Sequence, residues 1–532
     1  MSISSTIKSI QDIMRKDVGV DGDAQRIGQL VWLLFLKIFD DRELEWELMD
    51  DNYRSPIPES CRWRTWAADP EGMTGDALKD FIDNNLFPQL QNLHEYSNTP
   101  AAFVVRSVFE DAYNYMKSGQ LLRQVINKIQ QGVDFNKAQE RHEFGNLYEQ
   151  LLRDLQNAGN AGEFYTPRPV TEFMVRMVDP KLDEKVMDPA CGTGGFLTCT
   201  IEHKRSRYVK TAEDERTLQA SIYGVEKKPL PHLLATTNMI LHGIEVPNQI
   251  RHDNTLARPL ISWGPKERVD CIVANPPFGG MEEDGIETNF PAAFRTRETA
   301  DLFLVLIMHL LKDGGRAAVV LPDNVLFEAG VGTDVRRDLM DKCNLHTILR
   351  LPTGIFYAQG VKTNVLFFQK GTQANPRQEQ GCTQRVWVYD LRSNMPSFGK
   401  RTPFGAQHLK PFEKAYGDDP NGNSPRAENV EGIGELSRFR VFTREQIRER
   451  GDSLDISWLK DADSLDAADL PAPEVLAGEA MAELTEALRQ AQMQVEAGAG
   501  YGADAQRAEH PGVGLVQPAP EYCQQSASGE QA

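Results

Sequence analysis

Two periodicities divide the chain. Over residues 1–150 the apolar positions recur every three or four residues. Ile27, Leu30, Val31, Leu34 and Ile38 share one helical face, and Phe144, Leu147, Tyr148, Leu151 and Leu155 repeat the spacing within "EFGNLYEQLLRDL". That pattern predicts amphipathic helices, and with no catalytic constellation among them 1–150 reads as a helical packing domain. From about residue 160 the pattern becomes short apolar runs bounded by turn residues: "KVMDPACGTGGF", "SIYGVEKKP", "IRHDNTL", "VDCIVANPPF", "GGRAAVVLPDNVL", "LHTILRLPTGIF" and "TNVLFFQK". Helical segments such as "ADLFLVLIMHLLKDGG" separate several of them. The alternation predicts an α/β domain over 151–450, with a mostly parallel sheet covered by helices on both faces. Beyond 375, "RVWVYDL" and the loop-rich "SNMPSFGKRTPFG" lead to an acidic segment, 451–532. There Met481, Leu484, Leu488, Ala491 and Val495 form a narrow seam on a predicted helix, 474–496, before an end of disordered composition.

Charge and composition narrow the picture. The net charge is −19, from 58 basic and 77 acidic residues, and 451–532 holds 15 acids and 3 bases. An acidic chain is a poor solitary binder of nucleic acid, because phosphate contacts come from Lys and Arg. The seven cysteines form no C-x-x-C pair, which argues against a zinc site or a disulfide framework. The amino terminus has no signal-peptide apolar region, and "LVWLLFL" at 30–36 is far shorter than the ~20 residues that span a bilayer. A cytoplasmic protein without a membrane partner is expected.

Two stretches carry chemistry. "DPACGTGGF", 188–196, follows a predicted strand, and its glycines permit a tight strand-to-helix turn that lets backbone approach a ligand. It is not a phosphate-binding P-loop, since no G-K-[ST] follows. Nor is it a dinucleotide fingerprint, since Leu197 stands where the third glycine belongs. Glu226 and Asp253 end the next two predicted strands, where carboxylates suit ribose hydroxyls and an adenine edge. Acids after three successive strands fit an adenosine-containing cofactor without pyrophosphate. In "VDCIVANPPFGG", 269–280, two prolines stop the ladder and leave Asn275 and Phe278 on a stiff loop at a strand's carboxyl end. An amide beside an aromatic ring suits a flat, polar-edged substrate such as a nucleobase. Cys191 and His252 read as a small turn residue and a strand-end histidine.

In order along the chain, "GEFYTPRPV" (162–170), "DPACGTGGF" and "NPPF" resemble the S-adenosylmethionine-dependent N6-adenine DNA methyltransferases of the gamma motif order. The helical N-terminal region, "NMPSFGKRTPF" and "SRFRVFTREQI" are similar to the modification (M) subunit of type I restriction–modification systems, over roughly residues 1–460. The resemblance implies a seven-stranded sheet with its last strand inserted antiparallel, S-adenosylmethionine as cofactor and double-stranded DNA as substrate. It also implies two M chains around one specificity (S) subunit, joined by a restriction (R) subunit in the full complex. By position, Glu163, Phe164, Tyr165, Thr166, Pro167 and Arg168 would line the methionine end of the cofactor. Asp188, Gly192, Thr193, Gly194 and Gly195 would approach its amino-acid and ribose parts, Glu226 the ribose hydroxyls and Asp253 the adenine amine.

The resemblance also suggests what "NPPF" does. An adenine amine is a poor nucleophile because its lone pair is delocalised into the ring. Acceptance of its N–H groups by the Asn275 oxygen and the Pro276 carbonyl would draw the nitrogen toward tetrahedral geometry. Pro276 and Pro277 would keep the acceptors rigid, and Phe278 would stack on a base that has left the duplex. Alternatives are a solitary adenine methyltransferase, an enzyme acting on RNA or a protein glutamine, and a non-catalytic subunit that merely binds cofactor.

Overall fold

The helical N-terminal region is built around one long central helix. In the computed structural model the described residues are 3–93, 97–132, 135, 145, 148, 150, 152, 165–356, 360–371, 381–399 and 401–460. Glu163, Phe164, most of the stripe around Tyr148 and the predicted helix 474–496 lie outside them. Helices described in the N-terminal region are α1 Ile3–Met14, α2 Asp23–Met49, α3 Trp63–Trp66, α4 Gly75–Phe81, α5 Phe87–Gln91, α6 Pro100–Phe109 and α7 Gly119–Gly132. Thr99 starts α6, its hydroxyl accepting the Ala102 N–H, with Pro100 in the first turn.

On α2 the expected stripe is buried, but so is every residue from Ile27 to Asp41. It is therefore a helix wrapped on all sides, not an amphipathic one. Several of its charged groups are matched from within the fold: Lys37 Nζ lies 2.6 Å from Asp41, and Arg64 donates to Asp40 at 2.9 Å. The Tyr53 hydroxyl donates to Glu43 at 2.8 Å.

One mixed sheet organises the rest. Its strands are β1 Val186–Asp188, β2 Ile222–Glu226, β3 Ile250–His252, β4 Val269–Ala274, β5 Leu311–Pro322, β6 Cys343–Arg350, β7 Thr363–Lys370, β8 Arg385–Asp390 and β9 Phe439–Thr443. They lie in the order β3-β2-β1-β4-β5-β7-β6-β8-β9. β7 runs antiparallel to β5 and β6, as expected, and β9 antiparallel to β8; the other pairs are parallel. The α/β class holds, but the expected seven strands become nine. β6 would otherwise present unpaired backbone groups at an edge. β8 pairs with it in the register Thr347↔Trp387, and the more exposed β9 closes the sheet.

Among the described residues its helices are α8 Arg168–Val178, α9 Gly195–Arg207, α10 Ala212–Gln219, α11 Pro229–Leu241, α12 Thr299–Leu310, α13 Asp323–Phe327, α14 Val331–Lys342, α15 Lys410–Tyr416 and α16 Arg444–Glu449. After Asp270, which pairs with Lys312 at 2.7 Å, alternate residues of β4 show why the strand is apolar from Cys271 to Ala274. Ile272 and Ala274 share a core with Leu302 and Leu306 of α12, whereas Cys271 and Val273 share one with Phe173 and Met174 of α8. Leu233, Leu234 and Ile240 of α11 belong to the N-terminal core, and the buried Tyr148 donates its hydroxyl to the Leu234 carbonyl at 3.1 Å. Among the described residues no helix is long and apolar enough to cross a membrane.

The strand order locates the site. From β1 the chain steps outward through β2 to β3, then returns to lay β4 on the other side of β1. The carboxyl ends of β1 and β4 are thus neighbours at a topological switch point, where open α/β sheets bind ligands.

Candidate active site

A cavity of about 590 Å³ lies at that switch point. From β1 comes the turn 189–194, held in place from several directions. Cys191 donates its N–H to the Val225 carbonyl at 2.9 Å, and Gly194 donates to the Cys191 carbonyl at 2.8 Å. Gly192 and Gly194 take φ of 53° and 81°, a left-handed conformation that side chains disfavour. Gly192 lines the cavity, whereas a Cβ on Gly194 would meet Met239 Cε at 3.1 Å and Ala235 at 3.4 Å, both on α11. Gly194 therefore serves the turn and its packing on a helix behind it, not the wall facing a ligand.

Two buried acids face the same space. Glu226, at the end of β2, accepts the Gly192 N–H at 2.9 Å on one oxygen and the Lys228 N–H at 2.8 Å on the other. Each oxygen keeps a lone pair for a further donor. Burial raises its pKa against the pull of those two N–H groups. Burial likewise pushes the Asp188 carboxyl up to about 8, against the Ala190 N–H and with the nearby Glu226 adding to the effect. Such a pair favours a ligand rich in donors or carrying positive charge.

From β4 comes Asn275, whose amide is fixed by another wall residue, 109 positions earlier: its Nδ2 donates to Thr166 Oγ1 at 3.0 Å. The Asn275 Oδ1 is buried without a partner, an acceptor held ready on the cavity wall. Pro276, Pro277 and Phe278 continue the wall. Phe278 meets Phe356 edge-on, with ring centroids 5.1 Å apart at 81°.

Tyr165, Thr166, Thr193 and Gly195 are also on the wall, but Pro167, Arg168 and Asp253 are not. Pro167 caps α8, and the Arg168 guanidinium is engaged with Glu172, Thr198 and Glu202. Asp253 is exposed, its N–H donating to the Glu226 carbonyl at 3.0 Å; the two residues after it, Asn254 and Thr255, line the cavity. Thr255 is drawn in by its hydroxyl, which donates to the Pro189 carbonyl at 2.6 Å. Asn254, Thr255, Phe303 and Phe356 were not legible as wall residues. Only Phe356 carried a signal, as the aromatic that ends "LHTILRLPTGIF".

An acceptor amide and an aromatic ring, sharing one cavity with a glycine turn and buried acids, are what a methyltransferase acting on a flat amine or amide would need. Residues 139–464 match the N-6 DNA Methylase family, 3–129 the HsdM N-terminal domain, and 470–508 the C-terminal domain of type I restriction enzyme methylase subunits. The chain is 59% identical over 433 residues to the type I restriction enzyme EcoEI methylase subunit of Escherichia coli, covering 81% of this chain and 86% of that one. It is also similar to two solved structures. One is a modification subunit assigned to a type I restriction enzyme of Vibrio vulnificus, with 38% identity, 88% and 98% of the two chains covered and a TM-score of 0.71. The other comes from work on complex assembly and conformational transition of the type I R-M system, with 34% identity, 93% and 98% covered and a TM-score of 0.75. The chain belongs to the type I restriction enzyme methylase subunits of the N-6 DNA methylase family, adenine-specific DNA methyltransferases.

Proposed function

We propose that the cavity takes both S-adenosylmethionine and the target adenine, and that Asn275 makes the adenine amine reactive. The observation that carries this reading is the buried, unpartnered Asn275 Oδ1, held by Thr166 on the wall of a cavity that also presents two buried acids. When bound, the cofactor supplies an electrophilic methyl on a positively charged sulfonium. Asn275 Oδ1 and the Pro276 carbonyl accept the two N–H bonds of the amine, localising its lone pair. Phe278, with Phe356 at its edge, holds the base plane. Glu226 offers its free lone pairs to the ribose hydroxyls. Asp188 and the turn Gly192–Gly195 take the amino-acid and ribose parts, with Gly194 acting through the turn's shape. Glu163, Phe164, Tyr165 and Thr166 are assigned to the methionine end, Pro167 and Arg168 to positioning that segment through α8. At the adenine end, Asn254 and Thr255 join Asp253.

Residues 1–150, 151–450 and 451–532 are proposed as helical, catalytic and partner-docking parts of a cytoplasmic enzyme. The partners are double-stranded DNA, one specificity subunit for two copies of this chain, and a restriction subunit in the full complex. Asn275→Ala tests the central claim. Methyl transfer to DNA should fall by ~10²–10³, as on removing one oriented group, while calorimetry shows unchanged cofactor affinity. Methylation at the wild-type rate would refute the assignment.

A further inference from the structure

A methyltransferase that works on an extruded base leaves a gap in the duplex, and one residue at the cavity rim is placed to fill it. Met281 lines the cavity and is nonetheless 64% exposed. Among the described residues, the other exposed large hydrophobic side chains lie off the cavity wall. A single exposed apolar residue is ordinary. What sets Met281 apart is how firmly its backbone is held. It forms an antiparallel bridge with Glu298. Just before it, Gly280 turns at φ 112°, and the Thr299 hydroxyl donates to the Gly280 carbonyl at 3.0 Å. Just after it, Glu282 donates its N–H to the Arg297 carbonyl at 2.9 Å, and the Arg297 guanidinium returns two bonds to the Glu282 carbonyl at 3.0 and 2.9 Å.

The three acids that follow Met281 are paired with cations, Glu282 and Glu283 sharing one, with Glu283 and Asp284 still exposed. Lys227 lies 3.4 Å from Glu282 and 3.2 Å from Glu283, and Arg297 lies 2.7 Å from Asp284. The apolar side chain is thus the part of this loop that gains by leaving water for a base stack.

We propose that Met281 is the positioning residue that fills the duplex where the target adenine departs. Apolar wedges, Met among them, are used elsewhere to enter unstacked base steps, and the flexible thioether adapts to such a gap. This rests on the reading that the adenine is extruded to reach Asn275.

The test uses the complex with its specificity subunit and a duplex carrying 2-aminopurine at the target position. The wild-type complex should raise 2-aminopurine fluorescence on binding, and Met281→Ala should lose most of that rise. On a matched duplex, Met281→Ala should lower kcat/KM about tenfold or more, because the unstacking is left uncompensated. A mismatch opposite the target adenine, which lessens the work of extrusion, should bring the variant back near wild type; Met281→Leu should keep matched-duplex activity. A fluorescence rise in Met281→Ala equal to wild type would overturn the proposal, as would a loss of activity that the mismatch does not relieve. Absence of the rise in the wild-type complex would instead overturn extrusion itself, and the proposal with it. Asn275→Ala separates the two readings: it should still raise fluorescence, yet gain nothing from the mismatch.

Discussion

Asp188 is a carboxyl with almost no exposure and one hydrogen bond from its own turn. With its pKa pushed up to about 8 in the folded chain, against about 3.9 for an unperturbed Asp, it binds a proton more tightly when folded. Its contribution to stability is therefore fully present below pH ~3.9 and lost as the pH rises through about 8. Asp188→Asn cannot ionise and escapes that loss. We expect the variant to melt at a temperature on the order of a few °C above wild type at pH 8, with the gap closing toward pH 4, and to bind S-adenosylmethionine poorly. Thermal melts across that range decide it. A difference that does not change with pH would show that burial of the charge is not what the acid costs the fold. Asn275 carries a cost that does not titrate: its buried oxygen has no partner, a liability for stability that the proposed adenine contact would remove.

At the scale of elements, the turn between β1 and α9 is the part most constrained from both sides. Gly194→Val meets two obstacles: a φ of 81° that a β-branched residue disfavours, and α11 behind it at 3.1–3.4 Å. The expected outcome is loss of S-adenosylmethionine binding by calorimetry and a lower melting temperature, with the helical circular-dichroism signal retained. Normal affinity would place the cofactor away from this turn. A second close approach supports the aromatic wall. A Cβ on Gly354 would lie 1.9 Å from the Phe398 carbonyl oxygen, and Phe398 donates its N–H to the Thr353 carbonyl at 3.0 Å. The "NMPSFGKRTPF" segment is thereby laid against the strand-end loop that carries Phe356. Gly354→Ala should shift that loop and raise KM for DNA by more than it lowers cofactor affinity. A reversed pattern would detach this packing from the target-base side of the cavity.

For the whole molecule, a net charge of −19 makes solitary DNA binding unfavourable. The chain alone should bind cofactor yet barely methylate duplex DNA, and adding the specificity subunit should restore site-specific transfer. Deleting residues 470–532, which include the match to the C-terminal domain of methylase subunits, should weaken that assembly without changing cofactor affinity. Methyl incorporation by the purified chain, with and without its partner, checks both statements. Site-specific methylation by the lone chain would favour a solitary enzyme.

Turn chemistry and periodicity are local, and what depends on them was readable from the chain. The proline stop after "VDCIVA", the glycine turn after "KVMD" and the strand–helix alternation each follow from backbone preferences of neighbouring residues. With the motif order, they point to an α/β methyltransferase of DNA adenine. What pairs distant residues was decided by the sheet. The order β3-β2-β1-β4 sets two loops 80 residues and more apart side by side, and only then does Thr166 orient the Asn275 amide. Burial of α2 on every side, the two strands added beyond β6, and the substitution of Asn254 and Thr255 for Asp253 on the wall belong to the same category. Each depends on which surfaces meet, and a one-dimensional pattern records a residue's polarity but not the neighbour that will cover it.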